Sequence, residues 1–173
     1  MKLKLTHIAP LTILCLLMLA GIAVTAQKQL LAFKSSDKPE VKVNLFGSVK
    51  REGKDVDLQT AGKVVPGETL DWVITSENVG TGAANNYKVV GQIPKGTSLI
   101  SESAHTETGA TIVYSIDNGK SFSAQPKIEE KQPDGSIKQV PAPVSMYTQI
   151  RYEWNDALVS GNKVAASYKV LVK

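Results

Sequence analysis

The sequence predicts an all-β sandwich of about nine strands, and three observations predict it. Apolar residues recur with period two in run after run along the chain. Gly, Pro, Asn and Asp residues with turn chemistry punctuate the chain between those runs. No helical-length window after Ala26 shows apolar recurrence at three and four positions. Successive side chains on a strand point to opposite faces, so each period-two run offers one apolar face to a core. Many short strands with frequent turns describe a sandwich or a barrel.

The strands are expected from Val41 onward. Val41, Val43 and Leu45 alternate with Lys42 and Asn44. Leu70, Trp72 and Ile74 alternate with Asp71, Val73 and Thr75. Tyr87, Val89 and Ile93 share one parity, as do Ile150, Tyr152 and Trp154. The last run, Val164 to Val172, places Val164, Ala166, Tyr168, Val170 and Val172 on one face. Trp72 and Trp154 are the expected core anchors, each able to bury roughly 150–250 Å². The turns fall at Pro66-Gly67, Asn78-Val79-Gly80, Pro94-Lys95-Gly96, Asp117-Asn118-Gly119, Pro133-Asp134-Gly135 and Ser160-Gly161-Asn162. Gly and Asn there supply positive φ, and Pro supplies a fixed one.

Ahead of this domain the chain carries an export pattern. Lys2 and Lys4 precede an apolar run, Ile8 to Leu19, which is followed by the small-residue stretch Ala23-Val24-Thr25-Ala26. A basic start, an apolar middle and small residues at the −3 and −1 positions describe a secretory signal peptide. Residues 1–26 are therefore expected to form a signal-peptide helix cleaved between Ala26 and Gln27. The alternative is an uncleaved anchor, since Ile8 to Ala26 approaches the ~20 residues of a spanning helix. Pro10 and the polar tail weigh against it. Residues 27–40 read as an N-terminal tether, in which Leu30, Leu31 and Phe33 are placed to dock on the domain. Residues 41–173 are the sandwich with a β-rich extension.

Composition narrows the chemistry. Loss of Lys2 and Lys4 on processing leaves 18 basic against 16 acidic residues, a net charge of +2. Lys50, Arg51 and Lys54 are interleaved with Glu52, Asp55 and Asp57. A phosphate-tracking surface needs an unopposed basic stripe, so this group reads as a solvated strand edge or turn and no nucleic-acid partner is expected. Cys15 is the only cysteine and lies within the signal. The mature chain can form neither a disulfide nor a thiolate metal site. At about 150 residues it can bury roughly 68–70% of its unfolded surface and needs no such staple.

Val65-Pro66-Gly67-Glu68-Thr69-Leu70-Asp71-Trp72-Val73-Ile74-Thr75-Ser76-Glu77-Asn78-Val79-Gly80 resembles the bacterial surface-repeat family catalogued as domain of unknown function 11. That family reads Pro-Gly-Asp, an alternating strand containing an aromatic, then Asn-x-Gly. Ala84 to Val89, with Ile93-Pro94-Lys95-Gly96-Thr97, looks like its next strand and Pro-x-Gly turn. Gly91 stands where the family usually has Asp. The resemblance covers Leu45 to Leu99. It implies an immunoglobulin-like sandwich on an exported protein and no catalytic residues. A second likeness is local: Ser115-Ile116-Asp117-Asn118-Gly119-Lys120-Ser121-Phe122 looks like an Asp-box, with Ser115, Asp117, Gly119 and Phe122 at its defining positions. In such a hairpin the Asp and Ser side chains bond turn amides, Gly takes the left-handed conformation, and the aromatic tucks beneath.

Catalytic candidates are few. His105, the one histidine outside the signal, sits in the polar stretch Ser101 to Gly109 without a strained nucleophile turn, and reads as a solvated loop residue. One His and no Cys do not make an ordinary zinc site. Glu129-Glu130, and Glu102 with Glu107, are the candidate carboxylate pairs for glycoside hydrolysis. Strand neighbours such as Glu129 and Glu130 face opposite ways. Asp117-Asn118-Gly119 and Asp134-Gly135 lack the spacing of a dedicated calcium loop and suffice as turns. No metal or other cofactor is expected. The expected function is an exported, non-catalytic structural, adhesion or binding module of a bacterial cell envelope, in periplasm, at the surface or released. Its expected partner is another envelope protein or a surface polymer, with membrane contact only if the signal is kept. The alternative is a glycan-binding or glycan-cleaving secreted protein, for which Tyr114 and Tyr147 are the aromatics to inspect for an open stacking platform.

Overall fold

A computed structural model describes residues 37–173. The expected signal peptide, its Ala26–Gln27 cleavage point and most of the tether lie outside the described residues. The described chain is all-β and antiparallel. Its elements in order are β1 (Val41–Arg51), β2 (Lys54–Asp57), β3 (Thr69–Asn78), β4 (Lys88–Gln92), β5 (Thr97–Leu99), β6 (His105–Thr106), β7 (Ala110–Ser115), β8 (Lys127–Lys131), β9 (Ile137–Pro141), β10 (Gln149–Trp154) and β11 (Lys163–Val172). A single 3-10 turn spans Val144–Met146. Eleven strands among the described residues exceed the nine expected. β5 and β6 are only three and two residues long, too short to show a period in sequence.

The larger sheet runs β2-β1-β3-β11-β5, with β6 also on β11. The smaller runs β4-β10-β7. β8 and β9 pair with each other as a separate hairpin. Both larger sheets feed one core, in a sandwich-like arrangement. Val49, Leu70, Ile74, Leu99, Ala166, Tyr168 and Val170 enter from one sheet, and Ile150, Tyr152 and Trp154 from the other. The register explains this set. Val49, Leu70, Val170 and Leu99 form one cross-strand row, and Leu45, Ile74 and Ala166 form another. The period-two pattern puts every second residue of each strand into such a row.

Two tyrosines bond across the interior. The Tyr152 hydroxyl donates to the Ser167 carbonyl at 2.7 Å, and the Tyr168 hydroxyl donates to the Gln92 carbonyl at 2.6 Å. Each phenol thereby reaches the opposite sheet with its polar tip satisfied. Burial raises both above the ordinary tyrosine range, Tyr168 to about 12.

The end of β3 is fixed by Asn78, which is fully buried. Its Oδ1 accepts from the Glu40 and Gly80 amides, each at 3.1 Å. Its Nδ2 donates to the Gly82 and Leu158 carbonyls, each at 2.7 Å. One amide thus ties the entry of β1, the β3–β4 loop and the β10–β11 loop together. Lys38 joins the same knot, its carbonyl accepting from the Thr81 and Gly82 amides. Gly80 is required here, because a Cβ would stand 2.3 Å from the Glu40 nitrogen.

Trp154 is buried as expected, its Nε1 donating to Thr108 Oγ1 at 2.8 Å. Trp72 departs from expectation. It is only half-buried, and its Nε1–H has no acceptor among the described residues. Val43 and Leu45 depart further, being 50% and 58% exposed. The cause is a mismatch of width, since the smaller sheet has three strands and leaves the β1 side of the larger one uncovered among the described residues.

Candidate functional site: an apolar groove between two strand edges

The uncovered side is a groove of about 300 Å³. Val43 and Leu45 of β1 form one lip, and Val89 to Gln92 of β4, with Pro94, form the other. Trp72, Ile74 and Tyr168 make the floor. Most of the groove's surface is carbon, as follows from the parity of β1 and β3.

Both lips are strand edges. β1 pairs with β3 from Val41 to Val49, but with β2 only from Ser48 to Arg51. From Val41 to Phe46 its second side therefore has no strand partner among the described residues, and the Gly47 carbonyl accepts from the Leu58 amide at 2.9 Å. β4 pairs with β10 alone. Edge strands carry unpaired backbone donors and acceptors and are usually blunted by charge, proline or a bulge. Here the stretch carries one such charge, Lys42, beside Val43, Leu45 and the 48%-exposed Phe46.

Two glycine–aromatic contacts shape the floor. A Cβ on Gly47 would lie 2.7 Å from the Trp72 ring, and a Cβ on Gly91 would lie 2.5 Å from the Tyr168 ring. Glycine within a strand marks such close approach. Gly91 leaves room for the Tyr168 ring, whose hydroxyl reaches the Gln92 carbonyl. The lone clue in the sequence was a glycine at an inward parity of a strand.

The Asp-box segment forms a closed polar turn. The Ser115 hydroxyl donates to Asp117 Oδ1 at 2.7 Å and accepts from the Gly119 amide at 2.8 Å. Ser121 donates to Asp117 through its amide at 2.9 Å and its hydroxyl at 2.5 Å. Gly119 has φ +85°, and a Cβ there would also strike Gln149. Phe122 is half-buried beneath the Arg151 guanidinium, 4.0 Å from its ring centre. The Ser121 and Ser115 bonds hold the Asp117 carboxyl down at about 2. Its oxygens are engaged inside the turn.

The other sequence candidates scatter. His105 lies on β6, paired with Ser167, and is an exposed strand residue, not a loop one. Short strands of this kind are drawn into place by their neighbour and leave no mark in composition. Glu102 is exposed and has φ +59°. Glu129 and Glu130 sit on the β8–β9 hairpin, where Glu129 accepts from Gln139 and Glu130 from Gln132. That hairpin is charged and carries Ile137 at 68% exposure. Asp134 caps its turn, accepting from the Ser136 amide at 2.9 Å and hydroxyl at 2.6 Å. Tyr114 and Tyr147 pack on each other, ring centres 4.9 Å apart, and lie against the core, so they do not form an open platform. No cluster of three metal-ligating side chains occurs among the described residues.

The basic group around Arg51 is structural in this geometry. Arg51 Nε and one terminal nitrogen grip Glu68 at 2.9 and 3.2 Å. Its other contacts are the carbonyls of Ala61 and, at 2.8 Å, Lys63. Glu68 also accepts from the Val65 amide at 2.8 Å, so one ion pair closes the β2–β3 loop. The Arg51 contact and the Val65 amide lower the Glu68 carboxyl below its ordinary range.

Comparison of the chain with protein-family models, with curated proteins and with solved structures finds no match.

Proposed function

We propose that this chain is an exported, non-catalytic structural or binding module of a bacterial cell envelope, built on an immunoglobulin-like sandwich. The observation that carries the reading is the apolar groove bounded by β1 and β4, each an edge strand among the described residues. It is a surface suited to holding another polymer, and its lining is mostly carbon. The basic, apolar and small-residue segments before Gln27 support export. The polar networks at Asn78, Asp117 and Arg51 spend their hydrogen bonds on loop closure, which suits a module that presents fixed surfaces. The partner is another envelope protein or a surface polymer.

The test is fractionation of the producing cells, followed by N-terminal sequencing of the accumulated protein. The expected result is a product beginning at Gln27 outside the cytoplasm. A product retained in the cytoplasm with Met1 or Lys2 at its start would refute the reading. A hydrolysis activity abolished by alanine at His105 or at the acidic loops would refute its non-catalytic part.

A further inference from the structure

We propose that the larger sheet is a tension clamp, which lets the domain bear load applied along the chain at Lys38 and at Lys173. The proposal goes beyond the binding reading. It rests on strand order and bonding, and it uses neither the groove nor export.

Strand order sets the direction of the load. β1 and β11 flank β3, and both run antiparallel to it. β1 begins where Val41 faces Asn78, and β11 ends near where Leu171 faces Thr69. The two load points therefore lie at opposite ends of β3, a strand roughly 33 Å long. Tension between them draws β1 one way and β11 the other, with β3 held in the middle. The bonds between antiparallel strands stand perpendicular to the strands. A load along the strands shears those bonds together, whereas a load across them opens the bonds in turn from one end.

Both ladders are continuous. β1 pairs with β3 from Val41 to Val49, and β11 pairs with β3 from Lys163 to Leu171, each in one unbroken register. A residue of an antiparallel strand turns its N–H and C=O to the same side. The Glu40 carbonyl accepts from the Val79 and Gly80 amides, at the β3 side, and the Gly47 carbonyl from the Leu58 amide, at the β2 side. Parity then turns the main-chain groups of Lys42, Asn44 and Phe46 toward β3 and those of Val43 and Leu45 away from it. Asn78 donates its amide to the Asn162 carbonyl and accepts from the Gly161 amide. Ser76, Ile74, Trp72 and Leu70 share its parity and face β11. Alternate residues of β3 thus serve alternate neighbours, and both ladders are filled.

Each load point is also tied down. At the entry, the Lys38 carbonyl accepts from Thr81 and Gly82, and the Glu40 amide donates to Asn78 Oδ1. At the exit, the Val172 amide donates to the Glu68 carbonyl and the Val172 carbonyl accepts from the Gly67 amide, both at 2.9 Å. The Lys173 amide donates to the Gly96 carbonyl at 2.8 Å. The fraying usual where ordered chain begins and ends is opposed at both places. The Tyr152 bond to Ser167 and the Tyr168 bond to Gln92 pin β11 to the smaller sheet, so sliding β11 breaks them as well.

The test pulls single molecules of the processed chain, which holds no native cysteine, through pairs of introduced cysteines. Lys38→Cys with Lys173→Cys loads the ladders along their strands. Lys38→Cys with Asn162→Cys pulls at one end of β3 only and peels the sheet. All three positions are exposed. Forced unfolding reads the unfolding rate, and at one constant force the first pair is expected to hold at least tenfold longer than the second. A smaller ratio would overturn the proposal. Two proline variants test the ladder itself. Asn44→Pro removes a bond to β3. Val43→Pro removes an N–H whose side has no strand partner among the described residues, a change that edge strands tolerate. Under the first pair Asn44→Pro should shorten the lifetime at least tenfold more than Val43→Pro. Under the second pair the two variants should differ by less than threefold. Equal damage from the two prolines under the first pair, or an equally large difference under the second, would place the resistance outside the β1–β3 ladder and overturn the proposal. Should Asn44→Pro fail to fold, the comparison of the two cysteine pairs decides alone.

Discussion

Replacing Asn78 by alanine should destabilise the domain by about 3–5 kcal/mol, and the figure follows from which partners have a substitute. The Gly80 amide keeps a second acceptor in the Glu40 carbonyl, at 3.3 Å. The Leu158 carbonyl keeps the Ala84 amide, at 3.0 Å. The Gly82 carbonyl and the Glu40 amide have no second partner among the described residues. Gly82 is buried, so its orphaned carbonyl costs about 1–3 kcal/mol; the partly buried Glu40 amide costs about 1. The small void adds roughly 1 kcal/mol more. Urea unfolding of the processed protein should show a lower midpoint at unchanged slope, and the melting temperature should fall by roughly 10–20 °C. Asn78→Asp sharpens the test. Its carboxylate can still accept from Glu40 and Gly80, but its other oxygen would meet the Gly82 and Leu158 carbonyls where the amide group donated. Burial beside two carbonyls raises the folded pKa of that acid above its unfolded value of about 3.9. The penalty is then absent below about pH 4 and grows as pH rises toward the folded pKa. Asn78→Asp should therefore approach the parent at pH 4 and fall well below it at pH 7, whereas the Asn78→Ala offset should not vary with pH. A loss under about 1 kcal/mol for alanine, or an aspartate variant as stable as the parent at pH 7, would refute the four-bond knot.

Three further outcomes are expected. Gly91→Ala forces a Cβ to within 2.5 Å of the Tyr168 ring and should cost about 1–3 kcal/mol by overpacking, read by thermal melting, with Tyr168→Leu recovering part of it. Asp117 has a folded pKa of about 2, below the unfolded carboxyl value, so its support of the hairpin is present above about pH 4 and lost as pH falls through 2. Proton exchange at the Ser121 amide should report that loss, and Asp117→Asn should remove the pH dependence at that amide. Tyr168 has a folded pKa of about 12, above the unfolded value of about 10, so its contribution is intact below pH 10 and lost as pH rises through 12. Ultraviolet titration should show late phenolate formation coincident with unfolding, and Tyr168→Phe should remove one late-titrating group.

The sequence alone determined the long strands and which face of each is apolar, while the short β5 and β6 left no such mark. The runs around Leu70, Ile150 and Val164 became β3, β10 and β11, because side-chain alternation is a local property that every residue states for itself. The turn chemistry at Asp117-Asn118-Gly119 and Pro133-Asp134-Gly135 was equally local, with each side chain bonding an amide a few residues away. Only the tertiary structure decided which apolar faces are covered. Val43 and Leu45 have the same inward parity as Tyr152 and Val170, yet they line an open groove, because cover depends on how many strands the opposite sheet contributes. The same holds for Asn78. Its spacing to Gly80 announced a turn, but its role as a knot arose from Leu158, eighty residues away, and from the entry of β1. Gly91 too was legible only as an exception until the Tyr168 ring stood against it. Alternation is written residue by residue, whereas sheet width and long-range bonds exist only once distant strands have met.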